Sequence, residues 1–386
     1  MSTLNVFRFL PVFFSLALVV SCSSAQMHPR LDGEHPIDSD ELLVLDPPAD
    51  YLIHVEGLGL EILDVTNLPG MGSKIYHLRI LDDRHPLEAR EHHKNRFPNV
   101  VVDAHHHYEH HAAKADKSYT ASTASNWAAL GKGCSKGIRV GVIDGVLDIM
   151  HTAFKGTKVT YRSFHLKGEK LSNSVHGTAV ASVITGRGAW GGVLPGVEVM
   201  AANIFHAGKD GKPVGSAKSI VRAVDWMIEN KVPIINASIG GGPNALIEAA
   251  VKHAASKGIV VIGSGGNQGP FSKKKNYPGA YPTVIAITSV DRFKRTANFA
   301  SAGDYLEFAT PGGDIWAAVP GGGKAMSGTS FSAPIFTAYA AAAMKHLGLK
   351  TTDELREFFK KNVEDTASPG RDRYTGWGII NLSPVC

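Results

Sequence analysis

Residues 138–148 read IRVGVIDGVLD, a run rich in Val and Ile that ends on an aspartate and a glycine. A strand with one wet face alternates polar and apolar residues, whereas a run apolar on both sides belongs to a strand covered on both faces. Four similar runs follow, VEVMAANIF (197–205), PIINASI (233–239), IVVIGSG (259–265) and TVIAITSV (283–290). Between the runs lie segments of helical periodicity, GTAVASVITG (177–186), AKSIVRAVDWMIEN (217–230) and ALIEAAVKHAAS (245–256). This alternation predicts an α/β domain with a parallel sheet covered by helices on both faces. Ligands of such sheets sit beyond the carboxyl ends of the strands, so the chemistry is expected where strands pass into helices.

Three segments stand at such junctions: VIDGVLD (142–148), HGTAVAS (176–182) and SGTSFSAP (327–334). They put Asp144 at the end of a strand, His176 at the start of a helix, and Ser330 at the start of SFSAPIFTAYAAAAMKHL. Acyl transfer by a serine needs a base for the hydroxyl proton and a carboxylate that holds the base's tautomer and stabilises its cation. Taken singly, each residue has a plainer reading: a cap, a surface histidine, an N-cap serine. The conjunction, in the chain order Asp, His, Ser found in subtilisin, carries more weight.

With that wording at three places, residues 112–386 resemble the subtilisin-like serine proteases, the subtilases. The resemblance implies a subtilisin-like parallel sheet and a triad of Asp144, His176 and Ser330. It likens GSGGNQG (263–269) to the segment whose asparagine, here Asn267, donates to the oxyanion, with the Ser330 N–H as second donor and Thr329 in support. NASIGGG (236–242) resembles the substrate-binding strand, with Ser238, Ile239 and Gly240 offering backbone to an extended peptide; Pro213, Val214 and Gly215 resemble the opposing strand. Gln268 and Asn276 fall at the primary specificity pocket. Lys273, Lys274 and Lys275 lie between them and suggest tolerance of acidic side chains, against the plainer reading of a solvated loop.

Departures also stand out. Gly145 and Val146 follow the aspartate where the family usually has Ser or Thr and then Gly, and HGTAVAS and GTSFSAP replace HGTHVAG and GTSMASP, with Pro334 kept. HTAF and TGRGAWGG stand where many subtilases build a strong calcium site, so no metal and no other cofactor are expected. A catalytically silent subtilase-fold binding protein is the alternative that these changes keep open. Neither GxSxG nor HExxH occurs, and the glycines of GKGCSKG and GGGKAM lack the spacing of nucleotide-binding loops.

The N-terminal third reads differently. Phe9–Ser21 follows Arg8 as a signal-peptide core within residues 1–25, with cleavage either before a lipidated Cys22 or after Ala25. Such a lipid would be the route to a membrane for a secreted or cell-envelope protein. Residues 26–40 read as a polar linker. Beyond them come strands at 41–45, 60–68, 74–81 and 99–104 and helices at 50–58 and 86–97, a β-α-β-β-α-β order resembling the small α+β, ferredoxin-like inhibitory pro-domain of subtilases. Domains are therefore expected at 41–111 and 112–386, with the mature N-terminus near Ala112.

Charge divides the same way. Residues 1–111 carry 8 Lys/Arg and 16 Asp/Glu, net −8; residues 112–386 carry 32 and 19, net +13. Opposite charges suit docking of an intramolecular inhibitor. The basic residues are scattered, without an arginine-rich helix, so nucleic acid is not expected as a partner.

The junction itself reads DAHHHYEHHA (103–112), with five histidines. The i, i+4 pairs within it would bind metal only on a helix, and an extended tail offers none. A pH switch is the stronger expectation: protonating the twelve histidines of residues 1–111 would turn −8 into +4 and attraction into repulsion. A solvated linker is the plainer one. Cys134 and Cys386 are either a disulfide or two thiols.

Overall fold

The computed structural model describes residues 30–110, 118–126, 133–366 and 369–386. The signal-peptide and lipid-anchor readings, and the expected cut after residue 111, lie outside them. Among the described residues no helix is long and apolar enough to cross a membrane.

β1 (Pro36–Leu45), β2 (Leu60–Leu68), β3 (Ser73–Ile80) and β4 (Val101–Glu109) form an antiparallel sheet in the order β4-β1-β3-β2, with α1 (Pro86–Arg96) across it. Side chains alternate between the faces of a strand. Leu42, Val44, Leu78 and Val102 pack with Ala89 and Phe97 on the helix side, whereas Leu43, Leu45 and Ile75 pack into the core of the second domain. LLVL (42–45) is apolar throughout because both of its faces are covered.

Three expectations need correction here. Residues 50–58 are two 3-10 turns, Tyr51–Ile53 and Glu56–Leu58, because Gly57 and the left-handed Gly59 deny a longer helix. Residues 26–40 are not a linker throughout: Arg30–Leu31 pairs with Pro36–Ile37, and β1 starts at Pro36. The Asp32 carboxylate closes that turn by accepting from the N–H of Glu34 and of His35 at 3.0 and 2.7 Å. Finally, β4 does not stop at 104 but continues through the histidines to Glu109.

The second domain contains β5 (Arg139–Asp144), β6 (Val159–Ser163), α2 (Val175–Thr185), β7 (Glu198–Asn203), β8 (Pro213–Ser216), α3 (Ala217–Glu229), β9 (Ile234–Ala237), β10 (Gly240–Gly241), α4 (Ala245–Ser256), β11 (Val260–Ser264), β12 (Val284–Val290), β13 (Leu306–Pro311) and α5 (Thr329–Leu347). Seven strands run parallel in the order β13-β12-β11-β9-β5-β7-β6. Helices α2 and α5 cover one face and α3 and α4 the other. Every residue of α5 from Thr329 to Ala343 is buried, which explains its alanines: a helix enclosed on all sides cannot be amphipathic. Strands β6 and β13 escaped the sequence reading. β6 is an edge strand of alternating exposure, and LEFATP carries a glutamate that Arg356 neutralises with contacts of 2.8 Å.

Cys134 and Cys386 form a disulfide with Cα atoms 5.7 Å apart, separated by 252 residues. Closing so long a loop removes much unfolded-state entropy. Cys134→Ser with Cys386→Ser should cost about 2–5 kcal/mol in denaturant unfolding, the range for a native disulfide. An unchanged midpoint would show that the bridge contributes nothing.

Candidate active site

Asp144 closes β5, and His176 is the second residue of α2, across the end of the sheet. His176 Nδ1 donates to Asp144 Oδ1 at 2.7 Å, with both side chains buried, and the same oxygen accepts from the Gly145 N–H at 2.6 Å. A proton held on Nδ1 leaves Nε2 as the basic nitrogen. Helix α2 can approach so closely only because residue 177 is glycine: a Cβ there would stand 2.5 Å from the Gly145 carbonyl oxygen. The unusual Gly145 does not disturb the pair, since a Cβ at 145 would meet nothing nearer than 3.7 Å.

Ser330 is the second residue of α5, and its Oγ lies 3.5 Å from the Ser238 carbonyl. His176 Nε2 is buried and has no hydrogen-bond partner among the described residues. The Ser330–His176 hydrogen bond is therefore not drawn tight; in resting sites such bonds often close only around substrate.

Why the nucleophile sits where it does follows from Pro334. Proline has no N–H, so the helix cannot supply a donor to the carbonyl four residues back, which is that of Ser330. The Ser238 hydroxyl supplies it instead, at 2.9 Å, and is itself held by the Asn236 amide at 2.9 Å. Ser238, expected to bind peptide, is thus placed to fix the backbone of Ser330. Asn236 was missed because nothing local marks it.

Asn267 Oδ1 accepts from both the N–H and the hydroxyl of Thr329 at 2.9 Å. This orients the amide so that its NH₂ side faces away from Thr329, and Thr329 Oγ1 also accepts from the Gly266 N–H at 3.1 Å. Asn267, Thr329, Ser330, Gly240 and Asn276 line one cleft with Glu109 and His110. Asn276 contributes its wall: its amide donates to the carbonyls of Ser264 and Ile239 at 2.8 and 3.3 Å. Gln268 accepts from Ser301 at 2.6 Å. The three lysines of 273–275 are exposed, and Lys274 reaches the carbonyl of Glu34 at 3.2 Å, so the loop meets the N-terminal domain.

The cleft is occupied by the chain's own β4. Tyr108 lies antiparallel to Gly215 of β8 and Gly241 of β10, and Glu109 lies opposite Gly240. Val214 is in β8 one residue before Gly215, and buried Ile239 leads into β10. The fully buried Tyr108 donates its hydroxyl to the Gly242 carbonyl at 2.8 Å. Next along the chain, the His110 ring stacks on His176 with centroids 4.0 Å apart.

These are the relations expected of a subtilase, and residues 135–378 match the model of the Subtilase family. The chain belongs to the subtilase family. This subtilase is similar to the minor extracellular protease Epr of Bacillus subtilis, 30% identical over 253 residues, covering 64% of this chain and 38% of the relative. It is likewise 30% identical to subtilisin DY of Bacillus licheniformis over 255 residues, 64% of this chain and 89% of that one. In fold it is similar to the crystal structure of fervidolysin from Fervidobacterium pennivorans, with a TM-score of 0.76 and 20% identity over 92% of this chain and 62% of that one. It thus spans little more than a third of the length of the first of these relatives.

The subtilase's histidine run already has partners. His105 meets Glu41 and Asp38 at 2.7 and 2.9 Å, His106 meets Asp32 at 3.0 Å, and His107 meets Asp38 at 3.0 Å. Burial alone would raise these carboxyls, but the hydrogen bonds from histidine prevail and hold Asp32 and Asp38 far below the usual carboxylate range. A carboxyl depressed in this way contributes stability above its unfolded value and loses it only as pH falls well below. His105, which burial would lower, is raised by Asp38 and Glu41 to about 9. A histidine raised in this way contributes most below its unfolded value. Mild acid therefore leaves the carboxylates ionised and strengthens this pairing, where the acid-switch expectation had repulsion. The thermal midpoint of a Ser330→Ala precursor should not fall between pH 8 and 5.5; a drop of several degrees at pH 5.5 would restore the acid switch.

Proposed function

We propose that this subtilase is an exported serine endopeptidase, made as a precursor that cuts itself and is held inactive until its N-terminal domain leaves. The observation that carries this reading is the strand Tyr108–Glu109 seated between Gly215 and Gly240–Gly241, with His110 against His176. This strand leads into the expected junction, so the first cut is expected near Ala112.

In the reaction, His176 Nε2 takes the Ser330 proton as Oγ attacks the scissile carbonyl. Asp144 holds the imidazole's tautomer and stabilises its cation. The Asn267 amide and the Ser330 N–H at the start of α5 face the oxyanion, where the unpaired N–H groups of a helix N-terminus favour negative charge. His176 then protonates the leaving amine, and water, deprotonated by the same nitrogen, resolves the acyl-enzyme. Substrates bind as an added antiparallel strand between β8 and β10, with backbone hydrogen bonds supplying affinity and alternate side chains entering pockets. The strand that occupies this place is a built-in competitor. Its domain is held by apolar packing of Leu43, Leu45 and Ile75, by the Lys218–Asp64 ion pair, and by Asp103, which accepts from the first N–H of α4 at 2.9 Å.

Export is proposed on the Phe9–Ser21 segment and on the extracellular relative. The test is to express the wild type and sequence the N-terminus of the product. A mature chain starting near Ala112 or a few residues later, and hydrolysing casein, is expected. A wild type that stayed full-length and inert would sink the protease reading in favour of a silent binding protein.

A further inference from the structure

Glu41, His77 and His105 lie on β1, β3 and β4, three neighbouring strands, on the side of the sheet turned to the catalytic domain. Glu41 Oε2 is 2.6 Å from His77 Nε2 and 2.7 Å from His105 Nδ1, and one ligand atom from each of the three lies within 4.8 Å of the others. Asp38 Oδ2 stands 2.9 Å from the same His105 nitrogen. Asp38 and Glu41 are three residues apart, a spacing that would put them on opposite faces of a regular strand. The register of β1 against β4 breaks between Ile37 and Leu42, and this irregularity turns both carboxylates to one side. His105 is fully buried and His77 nearly so.

We propose that Glu41, His77 and His105 bind one divalent transition-metal ion of the zinc class, with Asp38 beside His105, a site for which the histidine run by itself lacked ligands. Two imidazoles with one carboxylate match the three protein ligands of an open zinc site, whereas calcium and magnesium favour all-oxygen shells. Around zinc the donors would stand about 3.4 Å apart, a tetrahedral edge for bonds of about 2.1 Å. The observed Glu41 contacts of 2.6 and 2.7 Å need to open by about 0.7–0.8 Å to reach it. The second nitrogen of His77 faces the Lys218–Asp64 pair, with Lys218 Nζ 3.4 Å from Nδ1. A cavity of about 710 Å³, lined by Asp38, His105, His107, Glu169 and His206 among others, opens onto the cluster as a route of entry.

Because the catalytic domain covers this face, the ion acts as a clasp on the docked state. The clasp role rests on the inhibitor reading; the metal site does not. The test uses the full-length Ser330→Ala precursor, stripped with chelator and titrated with zinc chloride. One zinc per chain is expected by elemental analysis after gel filtration, with affinity at least tenfold weaker in Glu41→Gln and in His77→Ala. Those two variants carry the test because His105 is fully buried, and circular dichroism checks their folding. Substoichiometric binding, or binding that both variants retain, overturns the site. In the wild type, zinc should slow departure of the cleaved N-terminal domain at least tenfold relative to chelator, and equal rates overturn the clasp. A wild type that binds zinc but never cuts itself would sink the protease reading and leave the site standing.

Discussion

Ser330→Ala and His176→Ala should each lower kcat by on the order of 10⁶-fold, and the double variant should be no worse than either single one. The magnitude is that of the corresponding losses in subtilisin, a relative of this chain. The non-additivity follows from the geometry. His176 is committed through Nδ1 to Asp144 at 2.7 Å, so in the proposed reaction its other nitrogen is the one that takes the serine's proton. Without the hydroxyl the base has nothing to deprotonate, and without the base the hydroxyl stays protonated at neutral pH. The measurement is hydrolysis of a chromogenic peptide by enzyme freed of its N-terminal domain. Each inactive variant must be processed in trans, because neither should cut its own chain. Independent, multiplying losses would show that Ser330 and His176 do not act as a unit.

Asn267→Ala should lower kcat by about 10²–10³-fold with KM nearly unchanged, roughly 3 kcal/mol of transition-state stabilisation. This figure too comes from the oxyanion asparagine of subtilisin and is carried over here. A KM that stays constant while kcat falls marks an interaction made only in the transition state. The proposed oxyanion role predicts that split, because Asn267 Oδ1 is occupied by the two Thr329 donors, which leaves donation to the NH₂ group. Thr329→Ala removes the hydroxyl donor but keeps the backbone N–H donor, so it should cost less than Asn267→Ala. A rise in KM at constant kcat for Asn267→Ala would place the asparagine in ground-state binding instead.

Much of the site was legible beforehand because its residues stand at fixed places in local patterns. Asp144 ends an apolar run, His176 opens a helix with a glycine beside it, and Ser330 begins a helix of small residues. Strand ends and helix starts are set by nearest neighbours, and so is the chemistry placed there. β13 and β6 were not legible, because an edge strand and a strand carrying a neutralised glutamate show no unbroken apolar run. The same limit made residues 30–40 look like a linker. Their polar side chains are satisfied by His105, His106 and His107, more than sixty residues later in sequence.

By itself, then, the sequence determined a parallel sheet covered on both faces, a second small sheet before it, and an Asp-His-Ser order at the junctions. These follow from hydrophobic periodicity and from what strand and helix ends can present. The tertiary structure decided the rest: that β4 runs through the histidines into the cleft, that the Ser238 hydroxyl answers the N–H missing at Pro334, and that Glu41, His77 and His105 meet at one point. Each of these depends on strand pairing between distant segments. Pairing register is fixed by which faces are buried against which partner, a property of the assembled fold that no local window contains.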